Sequence, residues 1–276
     1  MSTDKTIIRQ SIINELLLCP LRVRLAQQTG YIPPFGESLA FGSVVHKYIE
    51  NHWAGDSPSF HEAAEQVLQE EYQTSLTEIG NSEQFIAETQ KAFHLWQLQV
   101  LPFIIKELPE TKGVEFETTL ELDLGDNIVY QGTPDLVLKG NSIHDFKTAK
   151  SMRKWTQDNV DTNFQASIYL AAWNSLHSDT LDTFYFHIYD RKKVEWVTYE
   201  TVRDAKQQYL ALQQARDFGR MVKYDALPAT PVDENYSSKT RGWYCSPRWC
   251  GGWNICTSKY ILPGDDLEQK ATRVWQ

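Results

Sequence analysis

Apolar positions recur at helical spacing through the first part of the chain. Phe41, Val44, Val45, Tyr48, Ile49 and Trp53 form one such stripe, and residues 11–28, 60–77 and 82–106 also read as helices. The period then changes. Residues 118–124 alternate, Gly125-Asp126-Asn127 offers a hairpin turn, and residues 128–138 and 142–148 are rich in strand formers. A helix over 161–175, strands over 183–189 and 194–199, and a helix over 202–221 complete the pattern. The order of helices, three strands, helix, strands and helix predicts an α/β fold in one compact unit, with no internal repeat. The segment from Trp243 to Cys256 has no regular period and reads as a loop held by something other than its own packing.

Composition narrows the picture. The chain has 276 residues, 41% of them hydrophobic, enough for a real core. No run approaches the ~20 apolar residues that span a bilayer and the N-terminus lacks a secretory pattern, so a cytoplasmic protein without membrane association is expected. The net charge of −9 argues against a protein that coats nucleic acid through a broad basic surface. Any DNA contact must come from a local basic patch.

Three groups could share one metal site. Pro134-Asp135 falls in the second predicted strand and Asp145-Phe146-Lys147 in the third. Residues two apart on a strand share a face, so Asp145 and Lys147 project together. Asp135 and Asp145 offer hard oxygen ligands to Mg²⁺ or Mn²⁺, and Lys147 could orient a water and stabilise negative charge. The tripeptide alone is weak, because Asp190-Arg191-Lys192, Asp204-Ala205-Lys206 and Glu110-Thr111-Lys112 fit it equally. Only the Asp145 copy follows an apolar strand ten residues after a Pro-Asp and precedes a helix with polar residues on one side. On that helix Gln165 and Tyr169, four apart, could bond a phosphate or base, or simply face solvent. His46 borders the apolar face of its helix, where such a residue is more often a satisfied boundary group than a ligand. Gly42, one turn earlier, leaves room for close approach.

Taken together, Gly42-Ser43-Val44-Val45-His46, Gly132-Thr133-Pro134-Asp135, Asp145-Phe146-Lys147-Thr148 and Gln165-Ala166-Ser167-Ile168-Tyr169 resemble, in order and spacing, the RecB-like members of the PD-(D/E)XK superfamily. The resemblance implies a restriction-endonuclease-like core and metal binding by His46, Asp135, Asp145 and the carbonyl of Phe146. It also implies a catalytic Lys147, with Gln165 and Tyr169 supporting the site. Relatives often carry a glutamate in the first strand. Glu115 and Glu117 would share a face there, and Glu115 is preferred.

Cys245, Cys250 and Cys256 lie close together and Cys19 far upstream. The absence of Cys-x-x-Cys pairs makes a zinc site less natural than a [4Fe-4S] cluster, with buried free thiols as a third reading. Cys19-Pro20 with a C-terminal cysteine triplet resembles the iron-sulfur staple of RecB-like exonucleases associated with CRISPR systems and of AddAB-type helicase-nucleases. The parts expected are a helical elaboration over 1–110, a catalytic core over 111–221 and a cluster-binding tail over 222–276. Lys150, Arg153, Lys154, Arg22 and Arg24 are candidate phosphate contacts, and Trp155 could stack on an unpaired base. The acidic balance suits an exonuclease threading single-stranded DNA ends, with a helicase or integrase as conceivable partner. The rivals are a non-catalytic DNA-end adaptor, a zinc-stapled structural protein and a site-specific endonuclease.

Overall fold

The computed structural model describes residues 5–29, 36–227 and Cys250. In chain order the elements are β1 (Thr6–Arg9), α1 (Gln10–Leu18), α2 (Pro20–Thr29), α3 (Glu37–Ala54), α4 (Phe60–Tyr72), α5 (Ser82–Gln99) and α6 (Leu101–Glu107). There follow β2 (Val114–Phe116), β3 (Leu120–Gly125), β4 (Ile128–Gly132), β5 (Leu136–Leu138) and β6 (Ser142–Ala149), then α7 (Gln157–Asp161), α8 (Phe164–Leu176), β7 (Thr183–Asp190), β8 (Glu195–Val202) and α9 (Ala205–Lys223). Among the described residues no helix is long and apolar enough to cross a membrane.

The chain divides into two compact units that cut across the sequential parts 1–110, 111–221 and 222–276. One gathers Met1–Pro34, Asp123–Tyr130 and Gln214–Gln276; the other comprises Phe35–Leu122 and Gln131–Gln213. A small sheet is ordered β1-β4-β3, and its β3–β4 turn, in the first unit, takes positive φ at Gly125, Asp126 and Asn127 as its sequence predicts. Leu16, Val23 and Leu227 pack there with Phe218 and Met221. Arg24 donates to the Leu227 carbonyl at 2.9 Å and pairs with Asp225 at 3.0 Å.

The second unit is built on a five-stranded sheet ordered β2-β5-β6-β7-β8. Only β6 and β7 run parallel, with Asp145 beside Phe186 and Lys147 beside Ile188. A parallel pair needs a long crossover, and α7 and α8 supply it. Phe146, from the middle of β6, enters a core with Val44, Val45, Tyr48 and Trp96 of α3 and α5. Arg203 is almost fully buried. It donates to Ser167, to the carbonyls of Val160 and Asn163, and to Thr201, which pins the crossover helices to the end of β8.

Several predicted elements are interrupted where local chemistry demands it. The helix expected over 11–28 breaks at Cys19, which is extended (φ −164°, ψ 102°) because the residue before a proline avoids helical geometry. The helix over 82–106 divides at Val100, ahead of Pro102. Residues 161–175 hold the end of α7 and most of α8, separated where Asn163 caps the Gln165 amide. α4 opens with a Ser59–Glu62 capping box but stops at Tyr72, short of residue 77. β8 runs on to Val202, so α9 starts only at Ala205, where Asp204 and Gln207 exchange hydrogen bonds. The strand expected over 128–138 is two strands in different sheets, and Pro134-Asp135 lies in the break between them rather than within a strand.

Candidate active site

Alternation along β6 places Asp145 and Lys147 on one face and Phe146 on the other, as expected. Asp145 is 1% exposed. Its Oδ1 accepts from Lys147 Nζ at 2.6 Å and from Gln165 Nε2 at 2.7 Å, so α8 orients the carboxylate. Its Oδ2 is buried with no hydrogen-bond partner. A buried carboxylate oxygen left unmatched is costly and calls for an explanation.

Asp135 reaches the same place from the loop between β4 and β5. Its Oδ2 accepts the Phe146 amide at 2.6 Å, and its Oδ1 lies 3.6 Å from His46 Nδ1. Tyr169 does not face solvent; its hydroxyl donates to the Thr133 carbonyl at 3.3 Å and fixes that loop. Gly42 lets α3 approach the end of β6, since a Cβ there would sit 3.1 Å from Thr148 Oγ1. Phe146 joins the site through its amide, while its ring packs against Trp96 and His187.

Of the two glutamates, Glu117 lies beside Asp135 and Glu115 does not. Glu115 is drawn to the Lys139 ammonium. Glu117 follows the end of β2 with φ 48°, which breaks the alternation that would put the two on one face, and its amide donates to the Asp135 carbonyl at 3.1 Å. Donor atoms of His46, Glu117 and Asp135 all lie within 4.8 Å of one another.

The electrostatics follow from this crowding. Burial first, then the nearby Asp135 charge, pushes Asp145 up to about 6, against the pull of Lys147. The Glu117 side chain is exposed at the surface, yet the protein around its carboxyl and the nearby carboxylates of Asp135, Glu50 and Asp145 push it up to about 8. Burial opposes the charge on Lys147, but Asp145 and Asp135 outweigh it and hold the ammonium above its ordinary range. Burial and the Asp145 charge keep the Tyr169 phenol protonated. Acids that resist ionisation, an unmatched buried oxygen and converging oxygen and imidazole donors fit a divalent cation.

Residues 10–257 match the profile of the PD-(D/E)XK nuclease superfamily. The chain belongs to that superfamily. No curated protein matches it. A protein from Eubacterium rectale, provisionally designated an exonuclease, shares the fold at 12% identity and a TM-score of 0.58, over 97% of this chain and 93% of that one. The similarity to LHK-Exo in complex with dAMP is fainter, at 13% identity and a TM-score of 0.34 over 68% of this chain and 91% of that one, and carries no argument.

In this PD-(D/E)XK nuclease the other candidates fall in different places. Arg22 pairs with Glu15 at 2.6 Å and Arg24 with Asp225, so both are engaged within the first unit. The Trp155 ring leans on Phe186, and its carbonyl accepts from Tyr199. Cys19 sits half-buried at the α1–α2 break, and Cys250 is among the described residues, whereas Cys245 and Cys256 lie outside them. Lys91, Arg191 and Lys192 gather beside Lys150, away from any motif that the sequence marks as a site. The parallel register of β6 and β7 brings Asp190-Arg191-Lys192 to the same end of the sheet as Ala149-Lys150.

Proposed function

We propose that this PD-(D/E)XK nuclease is a Mg²⁺- or Mn²⁺-dependent deoxyribonuclease that acts as an exonuclease on single-stranded DNA ends, in prokaryotic or phage recombination, repair or spacer acquisition. The observation that carries the metal-dependent reading is the unmatched Asp145 Oδ2 beside a charged Lys147 and the His46–Glu117–Asp135 group. His46, Glu117, Asp135, Asp145 and the Phe146 carbonyl would hold the cation. When bound, it supplies charge that polarises the phosphate and acidifies water.

The chain's own residues do the rest. Lys147, held by Asp145, orients the attacking water and stabilises negative charge growing on the phosphate oxygens. Gln165 keeps Asp145 in one rotamer, and Tyr169 keeps the Asp135 loop in place. Both are positioning residues. Glu117 and Asp145 hold protons more tightly than free carboxylates do, and a bound cation would favour their ionised forms as ligands.

Cys19, Cys245, Cys250 and Cys256 are proposed as ligands of a [4Fe-4S] cluster of structural role. The support is that α1 and α2, which flank Cys19, are tied through Arg24 and Leu16 to the segment at Asp225 and Leu227 that leads toward the other three cysteines. Iron and labile sulfide in anaerobically purified protein, at about four irons per chain, would bear this out, and about one zinc without sulfide would replace it.

The nuclease reading is tested with end-labelled linear single-stranded DNA and a closed single-stranded circle, each with Mg²⁺, Mn²⁺ or chelator. Metal-dependent loss of the linear strand with the circle intact, abolished in Lys147→Ala, is the expected outcome. Cleavage of the circle would make it an endonuclease. No cleavage by folded, cluster-loaded protein would leave a DNA-end adaptor.

A further inference from the structure

Beyond the C-terminal ends of β6 and β7 lies a pocket of about 450 Å³ lined by Phe41, Glu88, Lys91, Lys150, Tyr189, Arg191, Lys192 and Val194. Four cations and one carboxylate line it, in a chain whose net charge is −9. Among the described residues no ion pair engages Lys91, Lys150 or Lys192. Arg191 lies over the Phe41 ring at 3.9 Å and pairs with Glu88 at 3.3 Å, yet its Nη1 is buried without a partner. Lining a pocket with like charges costs energy unless an anion answers them.

These cations are held in place rather than loosely displayed. The buried Asp190 carboxylate accepts the amides of Lys192 at 2.9 Å and Lys193 at 3.2 Å, which rigidifies the turn after β7. The Arg191 amide donates to the Ala149 carbonyl at 2.9 Å, which locks that turn to the end of β6. Phe41 is stacked against Tyr189, with ring centres 6.2 Å apart.

The pocket also has a defined relation to the active site. Phe41 and His46 are on the same helix, about 7.5 Å apart along its axis. Lys150 follows Lys147 by three residues, at most about 10 Å of chain. Phe41 and Tyr189 pack on the Phe146 face of the sheet, so the pocket and Lys147 meet only at the end of β6, where Lys150 lies; a strand whose scissile phosphate sits at Lys147 would run past that end to place a neighbouring phosphate in the pocket.

We infer that the pocket formed by Lys91, Lys150, Arg191 and Lys192 is a phosphate subsite that grips the substrate strand beside the point of cleavage. The inference rests on the nuclease reading for its substrate but not for its charge chemistry. The phosphate is either an internal diester or a terminal monoester.

The test measures binding of a labelled single-stranded oligonucleotide to the full chain in chelator, where nothing is cut, for wild type and Lys150→Ala/Lys192→Ala. Both lysines are exposed, so the fold should survive; Lys106→Ala/Lys206→Ala removes the same charge elsewhere. Binding about tenfold weaker in the pocket variant only, with the slope of log affinity against log salt flattened by about 0.7 per lost contact, is expected. With metal present, KM should rise while kcat holds. Equal weakening in both double variants, or in neither, overturns the subsite. If the loss is confined to 5′- or 3′-phosphorylated strands the group is terminal; if all strands lose equally it is internal. Pocket-dependent binding without any cleavage would refute the nuclease reading and leave the subsite standing, whereas cleavage with pocket-independent binding does the reverse.

Discussion

The two faces of β6 carry comparable numbers of polar groups and treat them in opposite ways. On the face away from Asp145, His144 and His187 are fully buried and stacked. Ser142 meets His144 Nε2 at 2.9 Å, His144 Nδ1 meets His187 Nε2 at 2.9 Å, and His187 Nδ1 meets Thr198 at 2.8 Å. Burial holds both imidazoles below their ordinary range, against the upward pull of Glu107 on His144, and every ring nitrogen is matched, with Ser142 donating onward to the Glu107 carboxylate at 3.2 Å. On the other face Asp145 keeps one oxygen unmatched and a proton affinity above normal. A satisfied buried network specifies a fold; an unsatisfied one marks where something else is meant to bind.

The sharpest way to break the comparison is to exchange stability for activity on one face only. Asp145→Asn keeps the shape of the side chain and removes the buried charge. Activity should fall at least about 100-fold, while the cation-free protein melts at the same or a higher temperature. A melting temperature lowered well below wild type would mean that Asp145 is structural.

On the opposite face His187→Phe should do the converse. It strands His144 Nδ1 and the Thr198 hydroxyl, costing about 1–3 kcal/mol in denaturant unfolding, with the rate per folded molecule unchanged. A lost rate in folded protein would draw this network into catalysis.

The smallest effect is the pH dependence of the cation-free protein. In the unfolded chain Asp145 and Glu117 ionise near about pH 4, but in the native state only near about 6 and about 8. Above about pH 4 the unfolded chain has released protons that the native state still holds, so these two groups lower stability progressively until about pH 8. In chelator the melting temperature should be higher at about pH 5 than at about pH 9. Mg²⁺ or Mn²⁺ should close that gap, and Asp145→Asn should narrow it. A melting temperature that climbs across this range in chelator would show that other groups dominate.

Much of this was legible in the chain itself. Strand alternation put Asp145 and Lys147 on a common face, helical spacing set Gln165 and Tyr169 on one side of α8, and the hairpin turn at Gly125-Asp126-Asn127 declared itself through residues that tolerate positive φ. These are properties of local geometry, fixed by period and by backbone sterics.

Tertiary structure decided what local geometry cannot. Glu117 rather than Glu115 lies beside Asp135 because a single left-handed residue after β2 changes the side-chain direction and because Lys139 pairs with Glu115. Gln165 and Tyr169, equally able to face solvent or substrate, were turned onto Asp145 and Thr133 by the crossover that Arg203 pins. The cations Lys91, Lys150, Arg191 and Lys192, distant in sequence, met only because β6 and β7 pair in parallel beside α5. The sequence specifies residue types and periods, while partners and unmatched groups arise only when separate elements are packed together.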